Sequence, residues 1–141
     1  MAEAIARRVA AERGLADVEI SSAGTGAWDG SGASEGALLV GLERSVDLNP
    51  HRARLLTREL VDRADLVLTM SRSHAEQVEQ MGGAGKSHLL TAYASGGAAA
   101  RNVADPFGGD LDGYRATFEE LEREIRLVFD RIVAERASGE S

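Results

Sequence analysis

Asp65-Leu66-Val67-Leu68-Thr69-Met70 is a run of apolar residues with almost no polar alternation, set between two helix signals. A strand of that composition has no face to offer to water, so both of its faces must be covered. Helices before and after it in the chain are the natural cover, which restricts the protein to an α/β fold with a mostly parallel sheet. Two further strands are expected. Val18-Glu-Ile-Ser-Ser22 alternates apolar and polar residues, and Ser87-His-Leu-Leu-Thr91 is a shorter apolar run.

The helices between them are marked by caps and spacing. Met1 to Arg13 places Ile5, Ala6, Val9 and Ala10 on one face, with Gly14 as its stop. It begins with no cap residue ahead of it, which is unusual. Ser34 can cap a second helix to about Ser45, with Leu38, Leu39 and Leu42 as the expected apolar stripe. Thr57 caps a short helix through Asp62. Ser71 or Ser73 caps the next, which holds Ala75, Val78 and Met81 and stops at Gly82-Gly83. From Leu111 one long helix carries Tyr114, Phe118, Leu121, Ile125, Val128 and Ile132 as a single buried stripe. Glu119, Glu120, Glu122, Arg123 and Arg126 read as its solvated side.

No internal repeat or linker interrupts this pattern, so residues 1–141 read as one domain. A net charge of −7 argues against nucleic acid as partner, though a local cradle of N–H groups can still hold an anion. No apolar run of about 18 residues is present, so no membrane span is expected, and cytoplasm is the default location. The chain has no cysteine, and His51, His74 and His88 lack zinc-ligand spacing. No metal or cofactor is expected. Nothing in the pattern sets an oligomeric state.

The most distinctive loop is Ala104-Asp105-Pro106-Phe107-Gly108-Gly109. Proline pushes Asp105 toward an extended conformation, so its carboxylate is held out from a loop rather than wound into a helix. An aspartate presented beside an aromatic could serve as a general acid; the plainer reading is a turn with a helix-capping carboxylate. Ala23-Gly-Thr-Gly-Ala-Trp28 is a small-residue loop ending in the only tryptophan, and its polar, glycine-rich neighbours place Trp28 at the surface. Asn49-Pro50 marks a turn, and His51 after it reads first as a structural hydrogen-bonding residue.

Together these motifs resemble the bacterial branch of the low-molecular-weight protein tyrosine phosphatases. The resemblance rests on Met1-Ala-Glu-Ala and its helix, Ser22-Ala-Gly-Thr-Gly-Ala-Trp28, His51-Arg-Ala-Arg54, Ala64-Asp-Leu-Val-Leu-Thr-Met70, and Asp105-Pro-Phe-Gly-Gly109 followed by Tyr114-Arg115. It implies a three-layer α/β/α fold around a mostly parallel four-stranded sheet. It also implies a phosphotyrosine protein or aryl phosphate as substrate. By the same resemblance Asp105 is the general acid, Trp28 and Phe107 flank the substrate ring, and His51 braces the phosphate loop from behind.

The resemblance further shows what these residues lack. Family members open with a buried strand and a Cys-x5-Arg-Ser-Pro loop, whose cysteine attacks phosphorus and whose N–H groups and arginine hold the phosphoryl oxygens. The expectation is a chain that starts downstream of that loop, without the central first strand and inactive as it stands. Five buried side chains of such a strand represent roughly 7–15 kcal/mol, comparable to a whole domain's net stability of about 5–15 kcal/mol. A genuine short protein that has lost catalysis is the other account of the gap. A non-catalytic phosphate- or protein-binding module is the alternative from another class, while arsenate reductase on this scaffold needs cysteines that residues 1–141 do not contain.

Overall fold

The computed structural model describes residues 1–24, 32–98, 100–103 and 109–139, with backbone alone for 137–139. Helix α1 spans Ala2–Glu12, α2 Glu35–Glu43 and α3 Arg58–Arg63. Strand β1 (Val67–Thr69) leads into α4 (Arg72–Val78), and β2 (Ser87–Leu89) into α5 (Leu90–Ala94); α6 runs from Leu111 to Gly139. The caps fall where their chemistry places them. Ser34 accepts from the N–H of Ala37, Thr57 from that of Leu60, and Ser71, not Ser73, from that of His74. After α4 a π-helical turn spans Glu79–Gly83, with Gly82 inside it at a φ of +97° that suits glycine.

The main core lies where α6 packs against α1, α2 and α5. Ile5 and Val9 meet Val40, Leu90, Phe118, Leu121, Ile125 and Val128, every one of them buried. The stripe read from the sequence of α6 is therefore buried from Tyr114 to Val128, and Ile132 beyond it is half-buried. Its charged flank is not simply solvated: Glu122 and Arg126 pair with Arg8 and Glu12 of α1, Glu119 with Arg44, and Glu120 with Arg101. Outside that cluster, buried Val61 of α3 and Val78 of α4 meet at Gly83, where an added Cβ would stand 2.4 Å from Val78 Cγ1 and 3.3 Å from Val61 Cγ1. Helical layers thus flank the strands, as an α/β/α arrangement requires.

The sheet is smaller than the sequence suggests. Among the described residues β1 pairs only with β2, in parallel, with Thr69 opposite Leu89. Val18, Ile20 and Ser22 alternate in burial with exposed Glu19 and Ser21, as a strand should, yet no ladder partner for them lies among the described residues. A parallel bridge between Gly24 and Leu55 is the only ladder contact described near them. With a neighbour on one edge alone, Val67 and Leu68 are half-buried rather than enclosed, and Thr69 is the buried residue of β1.

Two expectations are corrected. Ser87–Thr91 is not strand throughout, because the ladder stops where β1 turns into α4, and Leu90 and Thr91 open α5 instead. Leu38, Leu39 and Leu42 are not the buried stripe of α2. That face is Ala37, Val40 and Gly41, while Leu39 and Leu42 are exposed. Small residues decide the orientation: a Cβ on Gly36 would lie 2.4 Å from the Tyr114 ring, and one on Gly41 would lie 2.7 Å from the Val46 carbonyl oxygen. Helix α2 sits so close that only its small-residue face can turn inward.

Candidate functional site

The described part of the site gathers around the first turn of α1. Glu3 is there because the helix opens with Ala2-Glu3, and a carboxylate in a first turn faces the positive end of the helix dipole. Its side chain is only 17% exposed; one oxygen accepts from Ser22 Oγ at 3.1 Å, and the other lies 4.0 Å from His51 Nδ1 and 3.7 Å from Arg7. Arg7 also donates to the carbonyl of Ile20. The start of α1 is thereby tied to the Val18–Ser22 segment and to the connection after α2.

That connection is folded by its own side chains. Asp47 accepts from the backbone and side-chain nitrogens of Asn49, which sets the turn at Asn49-Pro50, and the N–H of His51 donates to the Leu48 carbonyl. His51 is then aimed at α1. Burial holds its imidazole pKa below the usual value; Glu3 pulls it up, while Arg52 and Arg54 push it further down. Glu3, Ala4 and Arg7 with Asp47, Leu48 and His51 line a groove of about 390 Å³, to whose lining Arg52 and Arg54 also contribute.

Trp28, Asp105 and Phe107 lie outside the described residues. Their flanks are described. Gly24 is bound on both sides, its N–H to the Arg54 carbonyl and its own carbonyl to the N–H of Leu56. Arg52 comes within 3.7 Å of where a Cβ on Gly32 would stand. Both ends of the Trp28 segment therefore meet the residues that follow His51. Ahead of Asp105, the N–H of Val103 donates to the Met70 carbonyl at 2.7 Å, which ties that approach to the end of β1. Of the four site residues singled out in the sequence, His51 alone lies among the described residues.

Two polar residues escaped the sequence reading. Glu3 was visible only as part of an amphipathic helix, and its i,i+4 spacing to Arg7 was the signal that it is held. Thr91 read as the end of a strand; no local pattern distinguishes a buried threonine that binds a distant backbone.

Comparison with known proteins places these features in one family. The family model described as low molecular weight phosphotyrosine protein phosphatase matches residues 1–138. The chain is 34% identical over 138 residues to the protein-arginine-phosphatase of Bacillus subtilis (strain 168), a match covering 96% of this chain and 89% of that one. It is also 34% identical over 122 residues to the low molecular weight protein-tyrosine-phosphatase PtpB of Staphylococcus haemolyticus, covering 86% and 81%. Among solved structures, the YwlE arginine phosphatase of Geobacillus stearothermophilus superposes with a TM-score of 0.86 at 32% identity, over 97% of this chain and 86% of that one. The solution structure of a low molecular weight protein tyrosine phosphatase from Bacillus subtilis gives a TM-score of 0.86 at 34% identity, over 96% and 89%. With a family match over nearly its whole length and an α/β fold shared with those enzymes, the chain belongs to the low molecular weight phosphotyrosine protein phosphatase family.

Proposed function

We propose that this domain hydrolyses phosphotyrosine in proteins through a phosphocysteine intermediate when a Cys-x5-Arg loop stands ahead of α1, and that residues 1–141 by themselves do not turn over. The family match over residues 1–138 supports the reading, because its span takes in Trp28, His51, Asp105 and Phe107. In the first step the thiolate attacks phosphorus and the bond to the leaving oxygen breaks, while Asp105 gives its proton to that oxygen. In the second, the Asp105 carboxylate takes a proton from water as the water oxygen attacks phosphorus and the P–S bond breaks. Trp28 and Phe107 flank the ring, and His51, held over the first turn of α1, braces the loop. The 141 residues contain no cysteine and so have no thiolate for the first step.

A second substrate is favoured by relatives named protein-arginine-phosphatases, in Bacillus subtilis at 34% identity and in Geobacillus stearothermophilus at 33%. In that reading Asp105 protonates a guanidinium nitrogen as a P–N bond breaks.

The test joins a Cys-x5-Arg-Ser-Pro segment ahead of Met1 and compares it with the 141 residues alone. The joined protein should turn over aryl phosphates, and the shorter one should stay at background. Asp105→Asn should slow phenyl phosphate by about 10²–10⁴ and 4-nitrophenyl phosphate far less, because a good leaving group needs little protonation. Equal slowing removes Asp105 from the acid role. Matched phosphotyrosine and phosphoarginine peptides decide the substrate.

A further inference from the structure

Most of the arginines in this chain have their charge matched. Arg8, Arg13, Arg44, Arg101, Arg115 and Arg126 each pair with a carboxylate elsewhere in the chain. Arg52 and Arg54 are exposed, and among the described residues no carboxylate comes within ion-pair reach of either guanidinium. Arg52 is nevertheless fixed in place, because its Nη1 donates to the carbonyls of Asn49 at 2.6 Å and of His51 at 2.7 Å. Neutral acceptors orient a guanidinium without cancelling its charge, and they leave Nε and Nη2 to donate elsewhere.

Both arginines line the groove of about 390 Å³ that also holds His51 and the first turn of α1. Both act on that imidazole, pushing its pKa down. The carboxylates of the groove are already engaged. Glu3 accepts from Ser22 and lies close to Arg7 and His51, while Asp47 accepts from both nitrogens of Asn49. The groove is therefore left with unmatched positive charge, on a chain whose net charge is −7.

We infer that Arg52 and Arg54 form a docking surface for an acidic segment of the phosphoprotein, binding Asp or Glu side chains that flank its phosphorylated residue. That such a segment belongs to a substrate rests on the phosphatase reading. A carboxylate is the matching partner because a guanidinium can bind it through two parallel N–H···O bonds. A protein of negative net charge repels an acidic chain at long range, so its acceptance at this groove depends on these two groups. Exposed pairs of this kind are weak singly and sensitive to salt, so the surface biases the choice among substrates.

The test has a binding arm and a kinetic arm. On the 141-residue chain, an unphosphorylated Glu-rich peptide should shift the Nε–H NMR signals of Arg52 and Arg54 saturably. Its Gln-substituted counterpart should not, and about 0.5 M NaCl should abolish the shift. No shift, or an equal shift with the Gln peptide, overturns the inference. On the protein joined to a Cys-x5-Arg-Ser-Pro segment, a phosphotyrosine peptide with Glu flanks should exceed its Gln-flanked twin about tenfold in kcat/KM. Arg52→Gln and Arg54→Gln should each cut that ratio about threefold, and Arg54→Lys should keep most of it. The ratio is taken within each variant, so a general loss of activity does not move it. A parent ratio near one, or a ratio unchanged in both Gln variants, overturns the inference. Arg54 makes no side-chain hydrogen bond among the described residues, so Arg54→Gln remains informative if Arg52→Gln loosens the turn at Asn49-Pro50. If the joined protein turns over neither peptide while the binding arm succeeds, the phosphatase reading has failed and the acid-binding surface stands.

Discussion

Among the described residues of these 141, the helical layer and the strands differ in how far they are covered. Around α6, Phe118, Ile5 and Val9 are at most 1% exposed, and the rim is tied by ion pairs from α1 and α2. Around β1, Leu66, Leu68 and Met70, with Val18 and Ile20, are only half-covered although they are as apolar. The difference lies in what each element needs from its neighbours. A helix satisfies its own backbone and asks only for an apolar surface, whereas a strand needs partners on both edges before its faces can close. Stability should therefore reside in the helical layer and respond weakly at the strands.

The largest effect should come from Phe118→Ala, which empties the middle of the helical core and should cost about 3–5 kcal/mol, read as a fall in the urea midpoint. Gly36→Ala should follow at roughly 1–3 kcal/mol, since the new methyl meets the Tyr114 ring. Leu68→Ala should cost only about 1–2 kcal/mol, because part of its surface is already in water. If Leu68→Ala proves as damaging as Phe118→Ala, the contrast between the layers is gone. Leu42→Ser, at a 60% exposed position, should change stability by less than about 0.5 kcal/mol.

The ionic rim gives the smallest and most condition-dependent effect. Hydrogen bonds from Arg126, Arg136 and Arg115 hold the carboxyls of Glu12, Asp17 and Glu43 below their usual pKa values. Lowered folded values mean that the unfolded chain binds protons first. The contribution is thus complete above the ordinary carboxylate range near pH 4 and lost as pH falls below it. These pairs are exposed, so added salt should flatten that acid slope in a titration of thermal midpoint; a slope unchanged by salt would mean the rim does not contribute through charge.

Much of the fold was legible because local chemistry and tertiary structure agree. The caps at Ser34, Thr57 and Ser71 and the stripe of α6 follow from side-chain hydrogen bonding and from helical periodicity, neither of which depends on distant residues. The inward face of α2 was not legible from hydrophobicity, since leucine outranks glycine on any such scale. Gly36 and Gly41 win that face only because Tyr114 and Val46 approach it too closely for a side chain. The site divides in the same way. His51 and its turn are encoded within Asp47–His51, but its meeting with Glu3 joins residues that are remote in the chain.

By itself the sequence determined the succession of helices and apolar runs that marks the family, because each is carried by short-range pattern. Tertiary structure alone decided which face of α2 is buried and that β1 pairs on one side among the described residues. It also decided that Thr91 spends both hydrogen-bonding roles of its hydroxyl on the backbone of Arg101. Those outcomes turn on distances between segments far apart in the chain, and no local spacing encodes such a distance.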